Sequence, residues 1–167
     1  WGEALCYMPG ADYVQMLGIT HYQMNNGTNG AAPASFKAMY TETANKMLPY
    51  FENHPWIIGE FACGAGGEVV YDWGKGGYVP VPDLETKKQW QADWIKGMFD
   101  CFMKNQEPGY EFAKNIKAAT WFSCNDYANV DGVDKVINYL RLDTGVPKAL
   151  EAFRDGYAAL KAARENE

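Results

Sequence analysis

The fold is decided by a short apolar run, Pro55-Trp-Ile-Ile-Gly-Glu-Phe-Ala62. The residues from Trp56 to Phe61 are almost continuously apolar, which is typical of a buried strand in a parallel sheet. Glu60 stands at the carboxyl end of this predicted strand. Burying a carboxylate is costly unless hydrogen bonds compensate for it. Glu60 is therefore either part of a buried ion pair or a functional group.

Two further apolar runs predict strands before and after this one. They are Tyr-Val-Gln-Met-Leu-Gly-Ile-Thr-His-Tyr at residues 13–22 and Ile-Lys-Ala-Ala-Thr-Trp-Phe-Ser at residues 116–123. Apolar residues spaced three and four apart predict helices over residues 34–53, 83–104 and 147–164. The order of strand and helix, repeated along the chain, predicts an α/β fold with a parallel sheet and right-handed crossovers.

Three βα units are fewer than a closed barrel needs. At about 50 residues per unit, an eight-unit barrel requires roughly 400 residues, whereas this chain has 167. Three parallel strands would also leave two open apolar edges. We therefore expect residues 1–167 to be one partial domain of a (β/α)8 barrel. The rest of the barrel would come from the same chain or from another chain.

Composition and charge narrow the class of partner. Hydrophobic residues make up 47% and charged residues 22%, which excludes a disordered or fibrous chain. The net charge is −6 and there is no stripe of Lys and Arg, so we expect neither nucleic acid nor a membrane as a partner. A neutral polar ligand suits this surface. The 15% aromatic content would serve core packing, sugar stacking or both.

The end of the first predicted strand supplies two candidate substrate-binding residues, His21 and Tyr22. The carboxyl ends of parallel strands are where α/β folds keep their functional side chains. A hydroxyl on Tyr22 would be able to hydrogen-bond Glu60 on the next strand and hold it ionised and oriented. The alternatives are a structural histidine and a buried tyrosine whose hydroxyl is satisfied within the core.

Further candidates for substrate binding follow the other two strands. Trp121 is near the end of the third strand, where its ring would either pack in the core or stack on a pyranose ring. The next loop adds Asn125 and Asp126. The long glycine-rich loop over residues 62–82 carries three aromatic residues that suit sugar stacking: Tyr71, Trp73 and Tyr78.

The cysteines predict neither a metal site nor a disulfide-dense scaffold. Cys6, Cys63, Cys101 and Cys124 show no CxxC pair and no zinc-finger spacing. Cys63 and Cys124 follow the ends of neighbouring predicted strands, so either a disulfide bridge or two free thiols fits this placement. We expect no cofactor.

Together these motifs resemble the C-terminal part of a clan A glycoside hydrolase, most of all family 26, with family 5 as the second choice. Three stretches resemble strands six, seven and eight of such a (β/α)8 (TIM) barrel: residues 7–22, 55–61 and 116–126. Three more match the helix after strand seven and the C-terminal end: residues 91–99, 139–143 and 147–153. The resemblance implies that Glu60 is the catalytic nucleophile and that Trp121 lines the subsite of the sugar under attack.

The resemblance implies a secreted, retaining β-glycoside hydrolase that cleaves a β-1,4-linked polysaccharide by double displacement. Mannan is the first choice of substrate, and β-glucan or xylan is the second. Such enzymes need a second carboxyl group about 5–5.5 Å from the nucleophile, and the family keeps it on strand four, which has no counterpart here. Glu68, Asp72 and Asp126 are expected to be solvated charges or subsite partners. We therefore expect this chain to be inactive alone.

Two other classes compete with this interpretation. The missing acid/base residue would suit a non-catalytic carbohydrate-binding protein on a remnant barrel. An unrelated flavodoxin-like domain is disfavoured, because no phosphate-binding loop follows the first predicted strand.

Overall fold

The computed structural model describes residues 6–7, 9–25 and 31–165, with the backbone alone for residues 48–51. Four α-helices lie within these residues: α1 (Phe36–Phe51), α2 (Leu84–Met103), α3 (Glu111–Lys114) and α4 (Pro147–Arg164). The strands are β1 (Leu17–Gln23), β2 (Trp56–Cys63), β3 (Val69–Asp72), β4 (Gly77–Pro80), β5 (Ile116–Trp121), β6 (Asp126–Val130) and β7 (Val133–Asn138). None of the described helices is long and apolar enough to cross a membrane.

A parallel sheet of three strands, in the order β1-β2-β5, forms the centre of the fold. Leu17 of β1 pairs with Trp56 of β2, and Trp56 pairs with Ile116 of β5. The α/β class and the parallel sheet predicted from the sequence are confirmed. The first strand begins later than predicted, because residues Ala11–Tyr13 form a 3-10 turn.

The hydrophobic core lies between one face of the sheet and the helices. Phe36, at the start of α1, is fully buried at its centre. Its ring centroid lies 4.5 Å from that of Tyr40 and 5.3 Å from that of Trp94. Phe61 of β2 completes the group at 6.2 Å from Phe36. The Ser35 hydroxyl accepts a hydrogen bond from the Ala38 amide and so caps the helix that delivers Phe36.

The opposite face of the sheet carries small and polar residues. Neighbouring residues of a strand point to opposite faces, so Phe61 in the core places Glu60 on this second face. Gly18, Thr20 and Gly59 in β1 and β2 are exposed. We call this surface the open face.

Two antiparallel hairpins replace segments that the sequence predicted to be loops. β3 pairs with β4 within residues 62–82, and β6 pairs with β7 after residue 123. The second hairpin turns at Asp131 and Gly132, whose φ angles of 52° and 81° are both positive. An Asp-Gly pair with this geometry is the preferred two-residue connection of a β-hairpin.

Of the two alternatives for Cys63 and Cys124, a disulfide bridge or two free thiols, the structure shows free thiols. Cys63 is buried, Cys124 is exposed, and neither forms a disulfide. Burial raises the pKa of the Cys63 thiol, so it behaves as a small core residue rather than as a nucleophile.

We expect the protein to lose stability at alkaline pH because of buried Tyr40. Burial raises the pKa of its hydroxyl, whereas an unfolded chain releases this proton near pH 10. Above that pH the unfolded state binds fewer protons than the folded state, so the free energy of unfolding falls as the pH rises. In urea denaturation between about pH 10 and about pH 11, Tyr40→Phe should reduce this fall by about 1 kcal/mol. If the free energy of unfolding falls equally steeply with pH in wild type and in Tyr40→Phe, buried Tyr40 is not the cause of the fall.

Candidate functional site

The candidate site is built on Tyr22 and Glu60 at the carboxyl ends of two adjacent parallel strands. Thr20 pairs with Glu60 and Tyr22 pairs with Ala62 in the register of β1 and β2. The Tyr22 hydroxyl donates a hydrogen bond to the Oε1 atom of Glu60. The structure thus brings together the two residues that the sequence placed on neighbouring strands. Only one carboxylate oxygen is engaged in this bond, so the other is available for chemistry.

The surroundings of Tyr22 keep its hydroxyl protonated. Burial is the main cause that raises its pKa, followed by the hydrogen bond to Glu60 and the negative charge there, and then by the charge of Asp126. A protonated hydroxyl is a permanent donor towards Glu60.

Phe122 and the β6–β7 hairpin form the surroundings of the pair on the β5 side. The Phe122 ring stands edge-on to Tyr22, with 5.7 Å between centroids. The Asn138 amide nitrogen lies 3.5 Å from Asp126 Oδ2 and 2.8 Å from the sulfur of Met24. Asn138 of β7 thus connects the start of β6 to the segment that follows β1.

A glycine-rich segment, residues 64–67, holds this hairpin beside the sheet. The Glu68 amide donates to Val136 O at 2.7 Å, and the Tyr139 amide donates to Gly66 O at 2.7 Å. A Cβ atom on Gly67 would lie 2.3 Å from Val136 O, and one on Gly64 would lie 2.0 Å from Asn138 Oδ1. Only glycine permits this close approach. Sequence reasoning missed the contact, although the Gly-Ala-Gly-Gly run was its signal.

Buried Gln91, on helix α2, also connects the sheet to the β6–β7 hairpin. Its side-chain nitrogen donates to Cys63 O at 2.6 Å and to Tyr139 O at 2.9 Å. One side chain thus connects the end of β2 to the end of β7. Sequence reasoning did not single out this residue, which lies among the apolar positions of its helix.

His21 is not part of the Tyr22–Glu60 pair. As the neighbour of Tyr22 in the strand, it points to the opposite face, where its ring lies 5.9 Å from that of Tyr40. The structure therefore places His21 between the sheet and α1.

Trp121 and Asn125 have structural contacts in this fold. Trp121 pairs with Phe61 in the register, and its indole donates to Leu140 O at 2.8 Å. Its ring lies 5.5 Å from that of Phe61, on the core side of the sheet. Asn125 is buried, and its side-chain oxygen accepts from the amides of Leu140 and Arg141 at 3.0 and 2.9 Å. Neither side chain is directed to Glu60.

Trp73 lies at the tip of the β3–β4 hairpin and is 87% exposed. It contacts Tyr71, which in turn contacts Tyr78. No contact between these rings and Glu60 is present.

The Tyr22 and Glu60 side chains are half-buried. A cavity of about 280 Å³ lies on the other side of the sheet, where Phe99, Phe153 and Leu160 line it. In the part of the chain that the structure describes, no group of three His, Cys, Asp or Glu residues is arranged to hold a metal ion. The hydrogen bond from Tyr22 makes Glu60 an oriented carboxylate.

Comparison with known proteins adds no relative. The chain matches no protein-family model, no curated protein and no solved structure.

Proposed function

We propose that this chain carries the nucleophile half of a retaining β-glycoside hydrolase active site. Its substrate would be a β-1,4-linked polysaccharide, with mannan as the first choice and β-glucan or xylan as the second. The observation that supports the proposal is the hydrogen bond from Tyr22 to Glu60, at the carboxyl ends of two parallel strands and on the open face. Functional groups of α/β folds concentrate at this end of the sheet.

The proposed reaction has two steps. The free oxygen of Glu60 attacks the anomeric carbon, and a glycosyl ester forms as the bond to the leaving oxygen breaks. A general acid gives its proton to that oxygen. The resulting carboxylate then takes a proton from water, which attacks the same carbon and releases Glu60. Tyr22 is a positioning residue that holds the nucleophile in place.

The sheet is proposed to represent strands six to eight of a (β/α)8 barrel. Three observations support this: all its strands are parallel, helices lie on one face, and the other face presents small and polar residues. The general acid would come from the rest of the barrel, in the same chain or another, at about 5–5.5 Å from Glu60. We further propose that the enzyme is secreted, because a polysaccharide substrate is extracellular.

The test uses a substrate that needs no general acid. Dinitrophenyl 2-deoxy-2-fluoro-β-mannoside and its glucoside counterpart have a leaving group that departs without protonation. The fluorine slows release of the ester, so the intermediate accumulates. Mass spectrometry of the 167-residue chain should find one added sugar, and peptide mapping should locate it on Glu60. The absence of a label, or a label on another residue, would refute the proposal.

Tyr22→Phe should slow this labelling by about 10- to 100-fold. A hydrogen bond to a charged group is worth about 1.5–3 kcal/mol, and each 1.36 kcal/mol is a factor of ten. The rate is measured as the labelled fraction against time. Tyr127→Phe is the matched control, because Tyr127 is exposed on the neighbouring β6 strand. If both variants react at the same rate, Tyr22 does not position the nucleophile.

A non-catalytic carbohydrate-binding protein is the second candidate. The exposed rings of Tyr71, Trp73 and Tyr78 favour it, because they need no catalytic acid to bind sugar. Binding of oligosaccharide without any labelling would select this candidate.

A further inference from the structure

One face of the β3–β4 hairpin is a strip of apolar side chains, four of them exposed and one, Val69, half-buried. Tyr71 pairs with Tyr78 across the hairpin, and Val69 pairs with Pro80 on the same face. Trp73 extends the strip at the turn, with its ring 4.8 Å from Tyr71. We call these five residues the aromatic ribbon. From Val69 to Trp73 it is about 13 Å long at the usual rise of a strand.

The other face of the hairpin is packed, so the exposed rings are not misplaced core residues. Val70 points to that face and is 8% exposed, whereas Tyr71 and Tyr78 are 37% and 38% exposed. Large contiguous apolar patches mark binding sites on folded proteins, and this strip of adjacent side chains is the candidate that the hairpin offers.

The turn beneath Trp73 is firmly held. Asp72 accepts hydrogen bonds from the amides of Gly74 and Lys75 at 2.9 and 3.2 Å. Its other oxygen lies 3.5 Å from the Lys75 ammonium group. The hairpin therefore presents its rings in a preformed arrangement, which reduces the entropy lost when a ligand binds.

The chemistry of the strip suits a sugar more than a purely apolar partner. Tyr71 and Tyr78 make ring contacts, but their hydroxyls have no hydrogen-bond partner among the described residues. A ligand for this surface should combine flat apolar faces with hydroxyl groups at its edges. The charges of Asp72 and Lys75 balance each other at the tip, so nothing there selects an ionic ligand.

The hairpin also belongs to the same rim as the candidate site. Glu68, just before β3, accepts a hydrogen bond from the Val136 amide of β7 at 3.0 Å through its carboxylate. β7 pairs with β6, and β6 follows Phe122, whose ring lies 5.7 Å from that of Tyr22. A chain-like ligand that lies on this rim would be able to contact both places.

We propose that the aromatic ribbon binds the pyranose rings of a neutral β-1,4-linked polysaccharide away from the bond that is cleaved. This inference rests on the proposed function for its choice of substrate. The ribbon adds affinity for long chains, whereas Glu60 acts on one glycosidic bond. Mutations in the ribbon and at Glu60 should therefore have separable effects.

The experiment measures oligosaccharide binding by the 167-residue chain with isothermal titration calorimetry. Manno-oligosaccharides of increasing length are the first probe, and β-glucan and xylan oligosaccharides are the other two. Trp73→Ala should weaken binding of the longest ligand by about 3- to 10-fold, since an aromatic contact contributes about 0.5–1.5 kcal/mol. The Trp73→Ala, Tyr71→Ala double variant should lose more. Tyr13→Ala is the control, because Tyr13 is an exposed aromatic residue outside the ribbon.

Glu60→Gln separates this inference from the proposed function. If the ribbon binds sugar, Glu60→Gln retains the affinity that Trp73→Ala loses, whether or not wild-type protein is labelled. Equal affinity of Trp73→Ala and wild type for all three oligosaccharides would overturn the inference, even if Glu60 is labelled. Self-association that disappears in Trp73→Ala, without sugar binding, would also overturn it and identify the ribbon as a protein contact.

Discussion

Glu60→Gln should reduce the rate of covalent labelling by at least about 10³-fold, the scale of loss when a nucleophile is removed. The carboxamide has nearly the shape of the carboxylate, and its oxygen still accepts a hydrogen bond from Tyr22. It lacks the negative charge and nucleophilicity that the first step requires. The measurement is the labelled fraction of intact protein after long incubation with the dinitrophenyl fluoro-mannoside.

The control for this experiment is Glu68→Gln. Glu68 is also a carboxylate close to the end of β2, but its oxygen accepts a hydrogen bond from the Val136 amide. Glu68→Gln should be labelled at a rate close to that of wild type. Circular dichroism of both variants verifies that the fold is retained. Persistent labelling of Glu60→Gln would assign the nucleophile to a different residue.

Phe36→Ala should lower the free energy of unfolding by about 3–5 kcal/mol, the range for truncation of a buried phenylalanine. The Phe36 ring is fully buried and packs against rings from the sheet and from three helices: Tyr40, Phe61, Trp94, Phe102 and Phe112. Because these neighbours belong to separate elements that hold one another apart, we expect the cavity to collapse only partly. Urea denaturation followed by tryptophan fluorescence measures the loss.

Two variants make the stability result specific. Phe36→Leu keeps much of the buried volume and should lose less than the alanine variant. Tyr13→Ala removes an aromatic ring that is 76% exposed and should change the free energy by about 0.5 kcal/mol or less. A loss below about 1 kcal/mol in Phe36→Ala would show that this cluster does not stabilise the fold as described.

Much of the central sheet and its helices could be predicted because local patterns determine them. Each of these elements has its pattern within one short segment of sequence: an apolar run for β2 and for β5, and helical spacing for α2. The contact between Tyr22 and Glu60 was also accessible, since adjacent parallel strands end at the same edge.

The faces themselves could not be read from the sequence. Ile58 and Phe61 are both buried although they are three residues apart, because the register shifts between them. Counting alternate residues from Ile58 would therefore place Glu60 in the core. Trp121 pairs with Phe61 in this register, so both side chains lie on the core face of the sheet. The sequence analysis assigned Trp121 to substrate binding because it lies near the end of a strand, without knowing which face its side chain is on. The same ambiguity applies to His21, which is adjacent to Tyr22 but on the other face.

The hairpins were missed for a different reason. The β6–β7 turn had a direct signal, Asp131-Gly132 between two valines. β3 and β4 are only four residues each, and their glycines indicated a loop more strongly than their side chains indicated strands. The hairpins depend on hydrogen bonds to distant segments, such as that between Glu68 and Val136, which no local pattern contains.

The close approach of Gly64 to Asn138 restricts how this protein can evolve. A side chain at position 64 would occupy the space of the Asn138 carboxamide, so enlargement there is tolerated only if position 138 becomes smaller. Position 67 has no such compensation, because the obstacle is the backbone of β7. In a collection of homologous sequences, positions 64 and 138 should therefore covary, whereas position 67 should remain glycine.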